Sequence, residues 1–252
     1  MRVVNTTPTV DKIRVAEQFS RHASEYVKQA KVQHRIAVEG LARASKWFVG
    51  RGECIVDLGC GVGHNLDALS EYAEKVIGVD IATGMVANNV SSHPIVQSDF
   101  DELSLPNASV DFVFSSMALQ WSNSPMRVLS HIHRILKPGG RAMCAIMVSP
   151  SFVRLHDAFA AAGLPGRINE FAASSAWHSE LFSGSQMDEQ IFMDEFDDFR
   201  SMMGSIKEVG ASTVLAESGL SQINRAQYQQ IIERLNGEYC LDYRVCFLSL
   251  VK

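Results

Sequence analysis

The 252-residue chain has no apolar run of the ~18 residues that a membrane span needs, no Cys-x-x-Cys pair, no internal repeat and no low-complexity tract. These absences exclude a spanning helix, a zinc knuckle, a thioredoxin-like redox pair and a solenoid. Prolines number seven and aromatic residues make up 8%, against 46% hydrophobic and 20% charged residues. That is ordinary globular composition, which excludes disordered and fibrous classes. The opening residues, Met1 to Val15, lack an apolar core and a small-residue cleavage site, so no secretory signal is expected. The five cysteines (Cys54, Cys60, Cys144, Cys240, Cys246) are an odd number, and Cys54 and Cys144 sit inside apolar runs. A reducing cytoplasm is the expected compartment.

A metal site is not expected either. His131 and His133 stand two apart on a helical stretch and so lie on different faces. Asp194-Glu-Phe-Asp197-Asp198 lacks the spacing and the central glycine of a calcium loop. The formal charge of −5 makes the whole chain a poor partner for nucleic acid. Positive charge is nevertheless concentrated at one end. Residues 1–52 hold ten Lys/Arg against four acids, a net +6, and the other 200 residues carry −11. This split suits either an acidic partner or a set of solvated helix faces.

What is present is an alternation of short apolar runs with helical stretches. Residues 10–48 have helical spacing, with Val15, Phe19, His22, Tyr26, Ala30, Ile36 and Leu41 at intervals of three to six. Buried strands are expected at 54–58, 75–80, 94–98, 110–115 and 142–148. Helices are expected at 64–73, 83–90 and 125–136 between them. Lys137-Pro-Gly-Gly140 stops the third of these. Residues 151–187 break the alternation and read as a helical cap. A return to the sheet starts at Phe192, helices follow at 196–209 and 225–236, and 239–251 is β-rich. Alternation of this kind implies an α/β fold with a mostly parallel sheet and helices on both faces.

Asp57-Leu-Gly59-Cys-Gly61-Val-Gly63 lies between the first strand and the next helix. Glycines there allow a tight turn and close approach of a ligand to the backbone, and the following helix start offers free N–H groups. The dinucleotide fingerprint G-x-G-x-x-G fails, because its third glycine would fall on His64. Asp80 ends the second strand twenty-one residues beyond Gly59, where a carboxylate can accept from ribose hydroxyls.

The G-x-G-x-G spacing with a preceding acid resembles the first motif of class I methyltransferases. So do Asp80, Ser98-Asp99-Phe100 and Leu136-Lys-Pro-Gly-Gly-Arg141. The resemblance covers roughly residues 50–150. It implies a Rossmann-like fold with a seven-stranded sheet and S-adenosylmethionine as cofactor, with S-adenosylhomocysteine as product. By that resemblance Asp57 helps hold the ammonium group, and the backbone of Gly59, Cys60, Gly61 and Gly63 packs on the methionine arm. Asp80 takes the ribose, Ile81 flanks the adenine, Asp99 accepts its amino hydrogens and Phe100 packs on the ring, with Met85 and Ser116 also at the cofactor.

The two ends carry a further resemblance. Val15-Ala-Glu-Gln-Phe19-Ser-Arg21-His-Ala23-Ser-Glu-Tyr26, Met117-Ala118-Leu119-Gln120-Trp121, Phe196-Asp-Asp-Phe199-Arg200 and Leu241-Asp-Tyr243-Arg-Val are similar to the malonyl-acyl-carrier-protein O-methyltransferase family of biotin synthesis. It implies methylation of the free malonyl carboxylate on an acyl carrier protein, with no nucleic acid and no membrane involved. Residues 1–50 would form a helical lid, with Tyr26 and Gln33 closing over the cofactor, and 51–252 the methyltransferase domain containing the 151–187 cap. Trp121 would stand near the methyl-transfer centre, with Gln120 beside it. Arg21, Arg154, His156 and Arg167 are candidates to meet the substrate carboxylate, and His156 stands where many relatives carry arginine. Two alternatives remain open: a methyltransferase for another carboxylate or a quinone ring carbon, and a non-catalytic nucleotide-binding module.

Overall fold

The computed structural model describes residues 10–47, 50–164, 169–208 and 223–252. Its apolar runs pair as strands β1 (Gly52–Leu58), β2 (Ala73–Asp80), β3 (Ile95–Gln97), β4 (Val110–Ser116), β5 (Leu136–Met147), β6 (Gly184–Glu195) and β7 (Cys240–Val251). They form one sheet in the order β3-β2-β1-β4-β5-β7-β6. The first five strands run parallel, and β7 lies antiparallel between β5 and β6. The chain therefore leaves β1 in both directions, toward β2 and toward β4. The crevice beyond the carboxyl ends at that reversal is where open α/β sheets bind ligands.

Burial on both faces explains the unbroken apolar runs of β1 and β4. Val56, Leu58, Val113 and Phe114 are fully enclosed. Helix α1 (Lys12–Gln29) and helix α2 (Lys31–Ser45) divide at Ala30, so the expected single helical stretch is two helices. α2 lies against β4 and β5, and a Cβ on Gly40 would stand 3.4 Å from the Phe114 ring. α1 instead crosses helix α4 (Thr83–Ala87), where the Gly84 N–H donates to Ser20 Oγ at 3.1 Å. Helix α5 (Pro125–Ile135) buries Val128, Leu129, Ile132 and Ile135, the stripe its periodicity predicts.

Four expectations are corrected. The helix expected over 64–73 is only α3 (Leu66–Leu69), because Ala73 already pairs with Gly52 as the first residue of β2. Lys137-Pro-Gly-Gly140 lies inside β5 as a register irregularity opposite Val110–Phe112. There Lys137 donates to Glu53 (2.6 Å) and Asp111 (2.9 Å), while Asp111 accepts from the Glu53 and Cys54 N–H groups. Lys137 thus joins the starts of β1, β4 and β5, a role its sequence context does not reveal. The 151–187 segment holds one α-helix among the described residues, α6 (Val153–Ala161), and a single 3-10 turn at Ser174–Trp177. Finally, β6 begins at Gly184 rather than Phe192. Its first half, Gly-Ser-Gln-Met-Asp-Glu-Gln, is largely exposed and polar, as suits an edge strand paired on one side only. Among the described residues the last two helices are α7 (Phe199–Glu208) and α8 (Arg225–Leu235).

Candidate functional site

A cavity of about 420 Å³ opens at the β1/β4 reversal, within the ~300–1,000 Å³ of small-molecule sites. Its floor is the glycine loop. Gly59, Gly61 and Gly63 take φ of +72°, +57° and +89°. At Gly59 the absence of a side chain is a packing requirement, since a Cβ would fall 2.1 Å from that of Ala118. The loop is fastened to β2: Gly59 and Cys60 N–H both donate to Val79 O, and Gly61 N–H donates to Asp80 Oδ2 at 2.9 Å. The other Asp80 oxygen accepts from Ala82 N–H at 2.8 Å.

Behind the loop stands Asp57, with no exposed surface. Asn65 donates to Oδ2 at 3.4 Å, and Oδ1 has no partner. Burial pushes its carboxyl up to about 7, the nearby Asp80 charge adds to that, and Asn65 opposes it. Burial likewise raises Asp80. A buried carboxylate with an orphaned oxygen is half of an ion pair, which a cationic ligand group would complete. Burial raises the Cys60 thiol, so it stands there as a protonated, apolar-like side chain.

Of the residues expected at a cofactor, Gly59, Cys60, Gly61, Asp80, Ile81, Met85, Asp99, Phe100, Ser116 and Gln33 line the cavity, and Trp121 does as well. Asp57 and Gly63 flank the loop just outside the lining. Tyr26 lies on α1, but its side chain is outside the described residues. Trp121 is wedged edge-on between Phe19 (6.1 Å) and Phe171 (5.9 Å). The structure does not bring the other substrate candidates to the lining. Arg21 is exposed and 3.6 Å from Glu17, one turn away on its own helix. Gln120 donates to Met117 O at 2.8 Å. Arg154 pairs with Glu238 on the surface, and His156 sits one turn into α6. Arg167 lies outside the described residues. The basic groups at the lining are instead Lys12, His34 and His64. Burial, and then His34, lower the His64 imidazole. His64 and Asn65 follow the glycine loop directly, which was a usable signal. Lys12 and His34 reach the cavity only through folding.

Residues 56–144 match the methyltransferase domain family. That span runs from the strand carrying Asp57 to the middle of β5, and so includes the whole floor of the cavity. This part of the chain is a methyltransferase domain, and S-adenosylmethionine is its cofactor. The residues fit that cofactor: an orphaned anionic oxygen at Asp57 for its ammonium end, a loop without side chains, and a second carboxylate at Asp80. The methyltransferase is 28% identical to the malonyl-[acyl-carrier protein] O-methyltransferase of Hahella chejuensis, over 92% of this chain and 85% of that one. It is 26% identical to the Serratia marcescens enzyme of the same name, over 97% and 98%. Among solved structures, the YcgJ protein of Bacillus subtilis superposes with a TM-score of 0.61 at 19% identity, over 85% of this chain and 98% of that one, a likeness of fold.

No helix among the described residues is long and apolar enough to cross a membrane, and they contain no metal-binding cluster of His, Cys, Asp and Glu.

Proposed function

We propose that the enzyme methylates the free carboxylate of a malonyl thioester carried on acyl carrier protein or coenzyme A, an early step of biotin synthesis. The observation that carries this reading is the extent of the likeness: it runs over 92–97% of the chain, through both ends, well beyond the cofactor-binding part. In this reading residues 1–50 act as a lid, 51–252 as the catalytic domain and the part of 151–187 that precedes β6 as a cap. Asp57, Gly59, Cys60, Gly61 and Gly63 hold the donor's amino-acid arm. Asp80 holds the ribose, Ile81 flanks the adenine, Asp99 and Phe100 hold it, and Met85 is also at the cofactor. Ser116 also meets the cofactor, and Gln33 and Tyr26 belong to the lid that closes over it.

S-adenosylmethionine, when bound, supplies a methyl group on a positively charged sulfur. The acceptor carboxylate, with a pKa of ~4, is ionised near neutral pH. Methyl transfer to its oxygen would release the donor as a neutral thioether and would need no proton to move, so this chain's residues would have only to hold and align the two reactants. No general base is required, which agrees with a lining whose thiol is inert and whose buried acids hold the donor. The protein's contribution is orientation, worth up to ~7–11 kcal/mol, together with water exclusion by the Phe19–Trp121–Phe171 wall. Arg21, Arg154, His156 and Arg167 remain the candidates for the acceptor carboxylate's partner, with Arg154 disfavoured by its pairing with Glu238.

Mass spectrometry of malonyl carrier protein incubated with enzyme and donor tests the proposal, and one added methyl group is expected. Parallel reactions with malonyl-coenzyme A, free malonate and a quinone give the contrast. Methylation of a free acid or the quinone, without the carrier-bound thioester, overturns it. Donor binding without turnover on any carboxylate would mark a non-catalytic module.

A further inference from the structure

Lys12 begins α1, yet its ammonium reaches the far side of the cavity. It donates to Asp99 Oδ1 at 2.7 Å and Oδ2 at 2.9 Å, contacts Asp101 Oδ2, and sits 4.8 Å from the centroid of the Phe100 ring. This placement does not depend on Asp99 alone. Two residues earlier, Val10 N–H donates to Asn123 Oδ1 at 2.6 Å and Asn123 Nδ2 donates back to Val10 O at 2.9 Å. The start of α1 is thus clasped to the loop after β4, and the clasp delivers Lys12 to the two acids.

A carboxylate offers about four acceptor sites. At Asp99, Oδ1 takes Lys12 and the Asp101 N–H (2.8 Å), while Oδ2 takes Lys12 alone. One site on Oδ2 is left over. Asp101 is engaged elsewhere, since its Oδ1 accepts from Ser122 Oγ at 2.6 Å and its Oδ2 meets Lys12. Without the ammonium the two carboxylates would repel, and Asp99 would be free to turn away. We infer that Lys12 is a positioning residue for the donor's base: it bridges Asp99 and Asp101 and leaves one Asp99 acceptor site for the exocyclic amine of adenine. A 6-oxo base presents a carbonyl at that place and finds an acceptor opposite it. The Lys12 bridge therefore sets base selectivity as well as affinity. This rests on the reading of the cavity as the S-adenosylmethionine site.

Calorimetry with S-adenosylhomocysteine and S-inosylhomocysteine tests it without any methyl acceptor. Wild type is expected to prefer the adenine ligand. Lys12→Ala is expected to lose about tenfold in affinity for it and little for the inosine ligand, so the preference collapses. Lys12→Arg is expected to restore most of the preference. Lys12→Met serves in place of the alanine variant if that one fails to fold. A merely structural role would weaken both ligands equally, and an unchanged ratio overturns the inference. So does tighter S-adenosylhomocysteine binding by Lys12→Ala, which would make the lysine a competitor of the base. A wild type that binds neither ligand overturns the donor site itself.

Discussion

The floor and the roof of the cavity are built in different ways. The floor comes from strand ends that are neighbours in the sheet: the glycine loop after β1, Asp80 at the end of β2, Asp99 after β3 and Ser116 at the end of β4. Its hydrogen bonds are donated by backbone N–H groups of the loop, Gly59 to the Val79 carbonyl and Gly61 to the Asp80 carboxylate at the end of β2. The roof is two helices brought from the start of the chain. It is held by scattered side-chain contacts: Lys12 on Asp99, Val10 on Asn123, Ser20 on Gly84 and Phe19 on Trp121. If the acceptor is the proposed carrier-bound thioester, a roof fastened by contacts that can be broken and remade suits its entry.

The sharpest way to break this contrast is in the floor. Gly59→Ala places a methyl group against Ala118 at a positive φ, so it is expected to cost on the order of 3 kcal/mol or more and to abolish S-adenosylhomocysteine binding. Thermal melts and calorimetry check both. Asp57→Asn keeps the shape and removes the charge. Donor affinity is expected to fall about a hundredfold, a charged hydrogen bond being worth ~1.5–3 kcal/mol. Thermal stability near pH 8 is expected to rise. The sign follows from the raised carboxyl. With its pKa near 7 in the folded chain against 3.8 for an unburied aspartate, Asp57 holds a proton that the unfolded chain has lost. Its contribution to stability therefore declines as pH rises from about 4 to about 7.

The same group sets a pH dependence of binding. The donor's ammonium needs Asp57 ionised, so affinity is expected to drop by about tenfold per unit below pH 7. Calorimetry from pH 5.5 to 8.5 measures it, and Asp57→Asn should flatten the profile.

Roof and surface changes are expected to be milder. The basic N-terminal fifth is partly spent within the molecule. Arg43 donates to Glu39 (2.7 Å) and Asp188 (2.5 Å) and stacks 4.0 Å from the Phe247 ring, and Arg35 bonds the Met193 carbonyl. Lys31 and Lys46 are exposed on and just beyond α2. If the charge split serves an acidic carrier, Lys31→Glu with Lys46→Glu raises the carrier KM about threefold to tenfold at low salt and leaves donor affinity alone. A wild-type KM that ignores salt would assign those residues to plain solvation. The smallest effect is expected for Arg154→Ala. Since Arg154 is spent on Glu238, the acceptor KM should stay within about twofold, and stability should change by less than ~1 kcal/mol.

The parts legible from sequence share one property, that their meaning is local. β1, β2, β4 and β5 are runs of apolar residues because both faces are covered. Asp57 through Leu66 runs from strand through turn to helix within ten residues, and the apolar stripe of α5 is set by helical period alone. What escaped the sequence depends on partners far along the chain. β6 carries few apolar residues because only one edge is paired and much of its surface meets water, so periodicity could not find its start. Lys137 looks like part of a reverse turn until Glu53 and Asp111 are placed beside it.

The sequence by itself therefore determined the α/β fold, the cofactor class and two carboxylates that line the cavity, Asp80 and Asp99, because a glycine loop after a buried strand admits few other uses. Only the tertiary structure decided which cations reach the cavity. Lys12 arrives there from 87 residues away to meet Asp99, while Arg154 turns aside to Glu238. A long charged side chain goes where packing places its nearest counter-charge, and no spacing along the chain encodes that choice.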